Sequence, residues 1–500
     1  MKIISFLLFV MIVLPVSAQE ITAPLQTKNY SDYTSYEELT NYINKLENGS
    51  GFLKVEKIGQ TVQGRNMYVL RFSSTEFGKD PGKIKVLIFA QQHGNEQSGK
   101  EGALLLAQAL LRPENRYLLD KIDIAIVPQM NPDGSEGKKR LNGHEADLNR
   151  NHLILTEPET IALHKLFDKY LFEVTMDVHE YYPYGETWQK SGYFINTDER
   201  IGPVNNPNIS EDIRSLSNND FLPFMQKYLK ERHFTNFIYS PGGPPGVDYI
   251  RNSTFDINDG RQSFGIQNTF SFIQEGLNGK EYSSENLKHR AEGQMTGMRC
   301  LLEYVYQNKD KIKTMVAAAR HDLKNGKGDH TISIQSEHSA NDKRLELPVH
   351  SYATDRDTVI SITDYRPVVK SICDVIRPEG YLIPKRLKEL TDWISRHAFT
   401  QSAYVPTISD KIEQYDIVKI DSIDFEGDKV VNPKVTSGEI RSKISPDDYI
   451  YLSASQLKGN MIVIALEPKS ILGLVTYPQF AHLLKAGEKY PVLRVVRKTK

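Results

Sequence analysis

Residues 83–102 read KIKVLIFAQQHGNEQSGKEG, and this stretch predicts the fold of the first half of the chain. Its unbroken apolar run, residues 86–90, is typical of a strand buried on both faces of a sheet. His93 and Glu96 follow this run and precede an apolar stretch, residues 103–111, that predicts a helix. An imidazole and a carboxylate three residues apart point the same way and suit a divalent metal, zinc above all. The tetrapeptide alone fits a solvated turn equally well, but its place at a strand's end favours the metal.

Polar side chains mark the ends of other predicted strands as well. These strands are residues 121–127 before Asn131, residues 172–178 before His179 and residues 269–273 before Glu275. Segments with helical spacing of apolar residues separate them, which predicts an α/β fold: a mainly parallel mixed sheet with helices on both faces. Ligands of such sheets bind outside the carboxyl ends of the strands. We therefore expect these polar side chains to lie beside His93 at one edge of the sheet.

Local patterns predict the remaining organisation. Thr156-Glu157-Pro158-Glu159 has the form of a capping box and predicts a helix start. Residues 286–306 predict a helix that closes the first domain. Beyond about Gly326, short predicted strands, residues 461–466 among them, alternate with turn-rich segments. The predicted division is a signal peptide (1–18), the main α/β domain (19–308), a connection (309–329) and a smaller β-rich C-terminal domain (330–500).

Composition limits the possible partners and location. The 62 basic and 63 acidic residues leave a formal net charge of −1, so nothing attracts a phosphate backbone and nucleic acid is not an expected partner. A basic start, an apolar core and Val16-Ser17-Ala18 make a secretory signal peptide, with cleavage near Ala18. We expect an exported protein, periplasmic or extracellular, with no transmembrane segment in the mature chain. Cys300 and Cys373 fit either a disulfide or two separate thiols.

Convergence of His93, Glu96 and His179 would make a three-ligand zinc site whose fourth position is open to water, as in hydrolytic rather than structural sites. Zinc lowers the pKa of such a water towards about 7 and polarises a carbonyl. Glu275 is the candidate for the carboxylate that takes the proton of this water. The competing interpretation of Glu275 is an exposed carboxylate at a strand end. Three further histidines are expected to be solvated rather than metal-bound: His144, His152 and His164.

An ordered set of motifs resembles one known family. It comprises Gly64-Arg65, His93-Gly94-Asn95-Glu96, Asn131-Pro132-Asp133-Gly134, Asp147-Leu148-Asn149-Arg150, His179 and Glu275. Their order is similar to that of the zinc metallocarboxypeptidases of the pancreatic carboxypeptidase A type, over roughly residues 30–308. The chain looks like a bacterial-type member with an added β-rich C-terminal domain. The resemblance implies the fold of that family and one Zn2+ per chain, held by His93, Glu96 and His179.

The resemblance also implies roles in catalysis. Glu275 would be the general base, and Arg140 would polarise the scissile carbonyl and stabilise the oxyanion. Asn149 and Arg150 would bind the terminal carboxylate of the substrate, for which a guanidinium fork is well shaped. The competing interpretation of Arg140 is a surface charge.

Two further positions lie in a part of the sequence where the resemblance to this family is less regular. Tyr239 is similar to a mobile loop tyrosine that closes over the substrate, although an ordinary loop tyrosine is the alternative. If Val247 lies at the base of the pocket for the terminal side chain, apolar or small terminal residues are favoured. Pro244-Pro245 and an extra residue blur the alignment at both positions.

These features favour a metallocarboxypeptidase that hydrolyses C-terminal peptide bonds, with peptide or protein C-termini as substrates. One alternative is a zinc amidohydrolase or deacylase acting on acyl-amino acids or cell-wall peptides. Asn149 and Arg150 argue against it, because a deacylase need not bind a terminal carboxylate. Another alternative is a non-catalytic peptide-binding protein on the same scaffold, and retention of the complete ligand set and of Glu275 argues against that.

Overall fold

The computed structural model describes residues 21–326, 330–440 and 444–497. The predicted signal peptide, residues 1–18, and its cleavage site near Ala18 lie outside the described residues. Among the residues that are described, no helix combines the length and the apolarity needed to cross a membrane.

An eight-stranded sheet organises the first half of the chain. The strands of this half are β1 (Leu53–Gln60), β2 (Asn66–Phe72), β3 (Ile84–Ala90), β4 (Ile122–Val127), β5 (Val174–Tyr181), β6 (Tyr193–Ile195), β7 (Glu199–Pro203), β8 (Asn236–Ile238), β9 (Ile250–Arg251) and β10 (Phe270–Leu277). The sheet has the order β1-β2-β4-β3-β5-β10-β7-β8. Its centre, β4-β3-β5-β10, is parallel, whereas β1, β2 and β7 join it through antiparallel pairs. The carboxyl ends of β3, β5 and β10 therefore meet at one edge.

Helices cover both faces of this sheet. They and the helices of the second half are α1 (Pro24–Thr27), α2 (Tyr36–Asn48), α3 (Ser98–Leu111), α4 (Leu118–Lys121), α5 (Pro132–Glu136), α6 (Pro158–Tyr170), α7 (Glu186–Lys190), α8 (Glu211–Leu216), α9 (Leu222–Lys230), α10 (Gly260–Gly265), α11 (Leu287–Lys324), α12 (Lys388–Arg396) and α13 (Gly459–Leu466). Successive side chains of β3 point to opposite faces of the sheet, so each face packs against a different layer of helices. Val86 and Ile88 pack with α3 and α11, whereas Leu87 and Phe89 pack with α6 and α10.

Two helix predictions need correction. The N-cap of α6 is Glu157 rather than Thr156, and no side-chain capping bond forms there. The Thr156 hydroxyl instead accepts a hydrogen bond from Asn151. The helix predicted over residues 286–306 continues as α11 to Lys324 after a local break at Asn308.

The second half is rich in β-structure. Its strands are β11 (Thr331–Ser339), β12 (Leu345–Ser351), β13 (Arg356–Ile362), β14 (Tyr365–Arg366), β15 (Val368–Ile376), β16 (Gly380–Pro384), β17 (Gln401–Ser402), β18 (Asp410–Phe425), β19 (Asp428–Glu439), β20 (Tyr449–Ser453) and β21 (Leu493–Arg497). Six of them form the sheet β17-β20-β16-β21-β18-β19. Residues 461–466, predicted as a strand, lie instead in the buried helix α13.

The two halves pack tightly against each other. Strand β12 pairs with β6 and β14 pairs with β9, so both halves contribute to two small sheets. The fully buried Trp393 of α12 donates its indole N–H to the carbonyl of Leu153, at 2.9 Å. A mixed, largely parallel α/β sheet with helices on both faces and a β-rich C-terminal region confirms the predicted fold class. The residue limits of the predicted domains remain a prediction.

Candidate active site

Three side chains meet at the carboxyl edge of the sheet. His93 and Glu96 lie on the turn between β3 and α3, and His179 lies near the end of the neighbouring strand β5. The Nδ1 atoms of the two histidines are 3.2 Å apart. The Glu96 carboxylate lies 2.7 Å from Nδ1 of His93 and 2.9 Å from Nδ1 of His179. All three side chains are buried. They are the same three residues that the sequence predicts as metal ligands.

This cluster fits a zinc ion. Its possible ligand atoms, two imidazole nitrogens and a carboxylate oxygen, lie within 4.8 Å of one another. Zinc prefers this donor set, and ligands about 2.0–2.1 Å from a tetrahedral ion are separated by about 3.3 Å, close to the spacing found here. Burial alone would raise the pKa of Glu96, but His93 and His179 outweigh it and hold this pKa well below its usual range. An anionic carboxylate between two imidazoles is the state that binds a cation.

Asp147 orients His93 from the side opposite Glu96. Its Oδ1 lies 3.0 Å from Nε2 of His93 and also accepts the backbone N–H of Asn149. Arg140 donates to Oδ2 of the same carboxylate at 3.0 Å and lies 3.3 Å from Glu96. A carboxylate behind a metal-binding histidine fixes the ring orientation and raises its basicity. The Arg140 guanidinium is thus held at the rim of the cluster, still 45% exposed.

A buried polar chain supports His179. Asp177 lies 2.8 Å from Nε2 of His179 and accepts hydrogen bonds from the Gln92 amide. The side-chain carbonyl oxygen of Gln92 lies 2.8 Å from Nε2 of His152. Nδ1 of His152 in turn lies 3.0 Å from Nε2 of His164. His152 and His164 are therefore buried rather than solvated, contrary to the sequence-based expectation. His144, the third histidine of that expectation, is exposed.

Glu275 lies directly across from His179 in the parallel pair of β10 and β5. Its side chain is buried, and it lines the same pocket as His93 and Glu96. Burial raises the pKa of Glu275 to about 7, with His179 acting against the shift and Glu96 adding to it. Both His179 and Glu275 lie within their strands, which continue to Tyr181 and Leu277. The exposed carboxylate considered from the sequence is thus excluded.

Asn149 and Arg150 reach this pocket from a single 3-10 turn. The buried Asn149 amide lies 3.3 Å from Nε2 of His179 and accepts the N–H of Gly260. Arg150 is exposed, lines the pocket and donates from Nη1 to the Asn149 carbonyl, one of the five N–H groups that a guanidinium carries. Tyr239, just after β8, also lines the pocket, and burial raises the pKa of its phenol. The site residues predicted from the sequence therefore line one cavity, except for His179, which contacts the cavity-lining Glu96.

Other side chains lining this cavity, of about 300 Å³, escaped the sequence analysis. They are Arg251, Ser253, Thr254, Asp259, Arg261 and Glu426. Val247 is 66% exposed and does not line the cavity, so the expectation that it forms the pocket base is wrong. Arg251 and Ser253, which come later in the chain, line the cavity instead. Glu426 comes from the C-terminal half, and no sequence motif around it indicates that it lines a functional site.

Both cysteines are free thiols in the structure. Cys300 is buried in α11, and Cys373 lies partly buried in β15. The disulfide alternative considered from the sequence is therefore absent among the described residues, and neither thiol belongs to the metal cluster.

Comparison with known proteins agrees with this site. A sequence model of the family described as zinc carboxypeptidase matches residues 39–220, which include His93, Glu96 and His179 but not Glu275. Carboxypeptidase 2 of Trichophyton rubrum is 21% identical over 490 residues, covering 94% of this chain and 88% of that protein. Carboxypeptidase D of Mus musculus is 24% identical over 269 residues, covering 47% of this chain and 19% of that protein. A metallo-carboxypeptidase structure from Burkholderia cenocepacia is 20% identical, with a TM-score of 0.43, and is covered over 71% of its length and 56% of this chain.

A buried His–Glu–His cluster at the carboxyl edge of a mixed α/β sheet is characteristic of metal-dependent hydrolases. The match to the zinc carboxypeptidase family model covers the residues of this cluster, and the curated relatives over most of the chain are carboxypeptidases. The resemblance drawn from the motifs is thereby confirmed, and so is the expectation that the protein is a metallocarboxypeptidase.

Proposed function

We propose that this protein is an exported zinc carboxypeptidase that hydrolyses the C-terminal peptide bond of peptides and proteins. One zinc ion per chain would be held by His93, Glu96 and His179. The observation that carries the proposal is the buried metal cluster at a cavity that Glu275, a buried carboxylate, and the guanidinium of Arg150 also line. Zinc supplies, when bound, Lewis-acid activation of water and of the scissile carbonyl.

Glu275 acts as the general base. It accepts a proton from the attacking water and transfers it to the departing amine nitrogen. Its burial opposite His179 supports this role, because a carboxyl whose pKa is raised to about 7 can both accept and donate a proton near neutral pH. Arg140 stabilises the negative charge that develops on the carbonyl oxygen, and Asp147 holds the guanidinium in place for this task.

Arg150 and Asn149 bind the free carboxylate of the substrate and so restrict cleavage to the last peptide bond. A guanidinium pairs with a carboxylate through parallel hydrogen bonds, and the exposed fork of Arg150 is free to do so. Tyr239 covers the bound terminal residue from the opposite wall. Its neighbours there are Arg200 and Glu275, which both act on the pKa of its phenol.

The proposal includes the location and the organisation of the chain. Residues 1–18 direct export and are removed near Ala18, residues 19–308 form the catalytic domain, and residues 309–329 connect it to the β-rich domain, 330–500. Neutral overall charge agrees with a peptide substrate rather than nucleic acid.

The test compares a blocked peptide ending in a free carboxylate with the same peptide ending in an amide. The proposal predicts cleavage of the acid, loss of cleavage with a chelator, restoration by Zn2+, and far slower cleavage of the amide. Equal rates for acid and amide would refute carboxylate recognition and favour a deacylase.

A further inference from the structure

A hairpin from the C-terminal half reaches the active-site cavity. Strands β18 and β19 pair along their length and are joined by the turn Glu426-Gly427, where both residues have positive φ. This turn geometry follows the twist of the strands and makes a tight tip. The Phe425 ring packs against Phe255 of the first half, with ring centroids 5.4 Å apart. The contact fixes the tip, and it brings Glu426 to the cavity wall.

Glu426 has its two carboxylate oxygens occupied. Oε2 accepts from Nη2 of Arg251 at 3.0 Å, and Oε1 lies 3.1 Å from Nε2 of His338. Burial would raise the pKa of Glu426, but these two partners outweigh it and lower the pKa to about 2. Glu426 therefore stays anionic, and its charge compensates that of Arg251.

Arg251 and Ser253 retain unused hydrogen-bonding capacity. Nε of Arg251 and Oγ of Ser253 are buried, and neither has a partner among the described residues. Ser253 is only 3% exposed, and both side chains line the cavity. Pairing of β9 with β14 fixes the backbone of Arg251, and the hydrogen bond to Glu426 holds its guanidinium. Buried donors without acceptors are costly, so such a wall suits a ligand that brings an acceptor oxygen.

We infer that Arg251 and Ser253 form the subsite for the side chain of the substrate's terminal residue, and that this subsite selects a neutral carboxamide, as in glutamine or asparagine. The inference rests on the proposed carboxypeptidase function. A carboxamide oxygen accepts from Arg251 and Ser253 without adding charge. A carboxylate would place a second anion beside Glu426, and an apolar side chain would leave the donors unpaired. Glu426 is a positioning residue: it holds the guanidinium and cancels its charge.

The test measures kcat/KM for three blocked dipeptides that differ only in the terminal residue: glutamine, glutamate and methionine. The wild-type enzyme is expected to favour glutamine over each of the others by about tenfold. Glu426→Gln removes the competing anion, so the ratio of glutamate to glutamine should rise about tenfold. Asp428→Asn, the matched control, removes the same charge from an exposed side chain of the same hairpin and should leave the ratio unchanged.

Arg251→Met should abolish the preference for glutamine over methionine, a change in ratio that general loss of stability would not produce. A wild-type preference for methionine or glutamate, or a ratio that Glu426→Gln leaves unchanged, would overturn the inference while the carboxypeptidase function stands. Hydrolysis of none of the three dipeptides would overturn the proposed function, and this inference with it.

Discussion

Replacing Arg150 by methionine separates carboxylate recognition from every other part of the mechanism. In the structure this guanidinium lines the cavity and donates to the backbone carbonyl of Asn149, so its removal takes one hydrogen bond from that carbonyl and leaves the metal cluster untouched. The main expected effect of the substitution is therefore the loss of hydrogen bonds to the substrate's terminal carboxylate. A hydrogen bond to a charged group contributes about 1.5–3 kcal/mol, and each 1.4 kcal/mol is about a factor of ten, so kcat/KM should fall about 10- to 150-fold.

The assay measures kcat/KM of wild type and Arg150→Met on a blocked dipeptide and on its C-terminal amide. The loss is expected with the acid only, because the amide brings no carboxylate for Arg150 to bind. Lys139→Met is the matched control: it removes a positive charge that is 60% exposed and paired with Glu145, and it should change neither rate. Equal losses on acid and amide, or no loss on the acid, would refute the assigned role.

Three further changes test other parts of the structure. Glu275→Gln should keep zinc bound but lower kcat by about 10²–10⁴-fold, as measured by metal content and turnover, and unchanged turnover would remove its role as base. Gly94→Ala places a methyl group 2.1 Å from the backbone carbon of Gly134, so the metal-binding turn must shift and zinc affinity must fall in a chelator competition. Gly51→Ala, with open space around it, should bind zinc as wild type does. Trp393→Ala should destabilise both halves together by about 3–5 kcal/mol in a single denaturant transition, and two separate transitions would contradict the shared packing.

The sequence predicts the sheet edge well because two independent regularities agree there. Buried parallel strands appear as apolar runs, and their carboxyl ends must meet, so His93, His179 and Glu275 could be placed together from order alone. The burial of His152 and His164 could not be foreseen. It depends on a polar chain through Gln92 and Asp177, whose members come from different segments.

Local patterns failed where tertiary packing decides the outcome. Residues 461–466 are entirely apolar, and a run without alternation does not distinguish a buried strand from the buried helix that forms. Val247 is exposed outside the cavity, in a loop whose irregular sequence around Pro244-Pro245 gives no periodic pattern from which its side-chain position could be predicted. Glu426 lies on a hairpin of the other half, and only the folded chain brings it beside Arg251.

The proposed chemistry requires His93, Glu96 and His179 to share one metal ion, and elemental analysis of the folded chain measures that ion. Wild type should carry one zinc per chain. His179→Ala should lose it while keeping its secondary structure, and His144→Ala, an exposed control, should retain it. A well-folded wild type that takes up no stoichiometric zinc, or a His179→Ala variant that retains a full complement, would contradict the account.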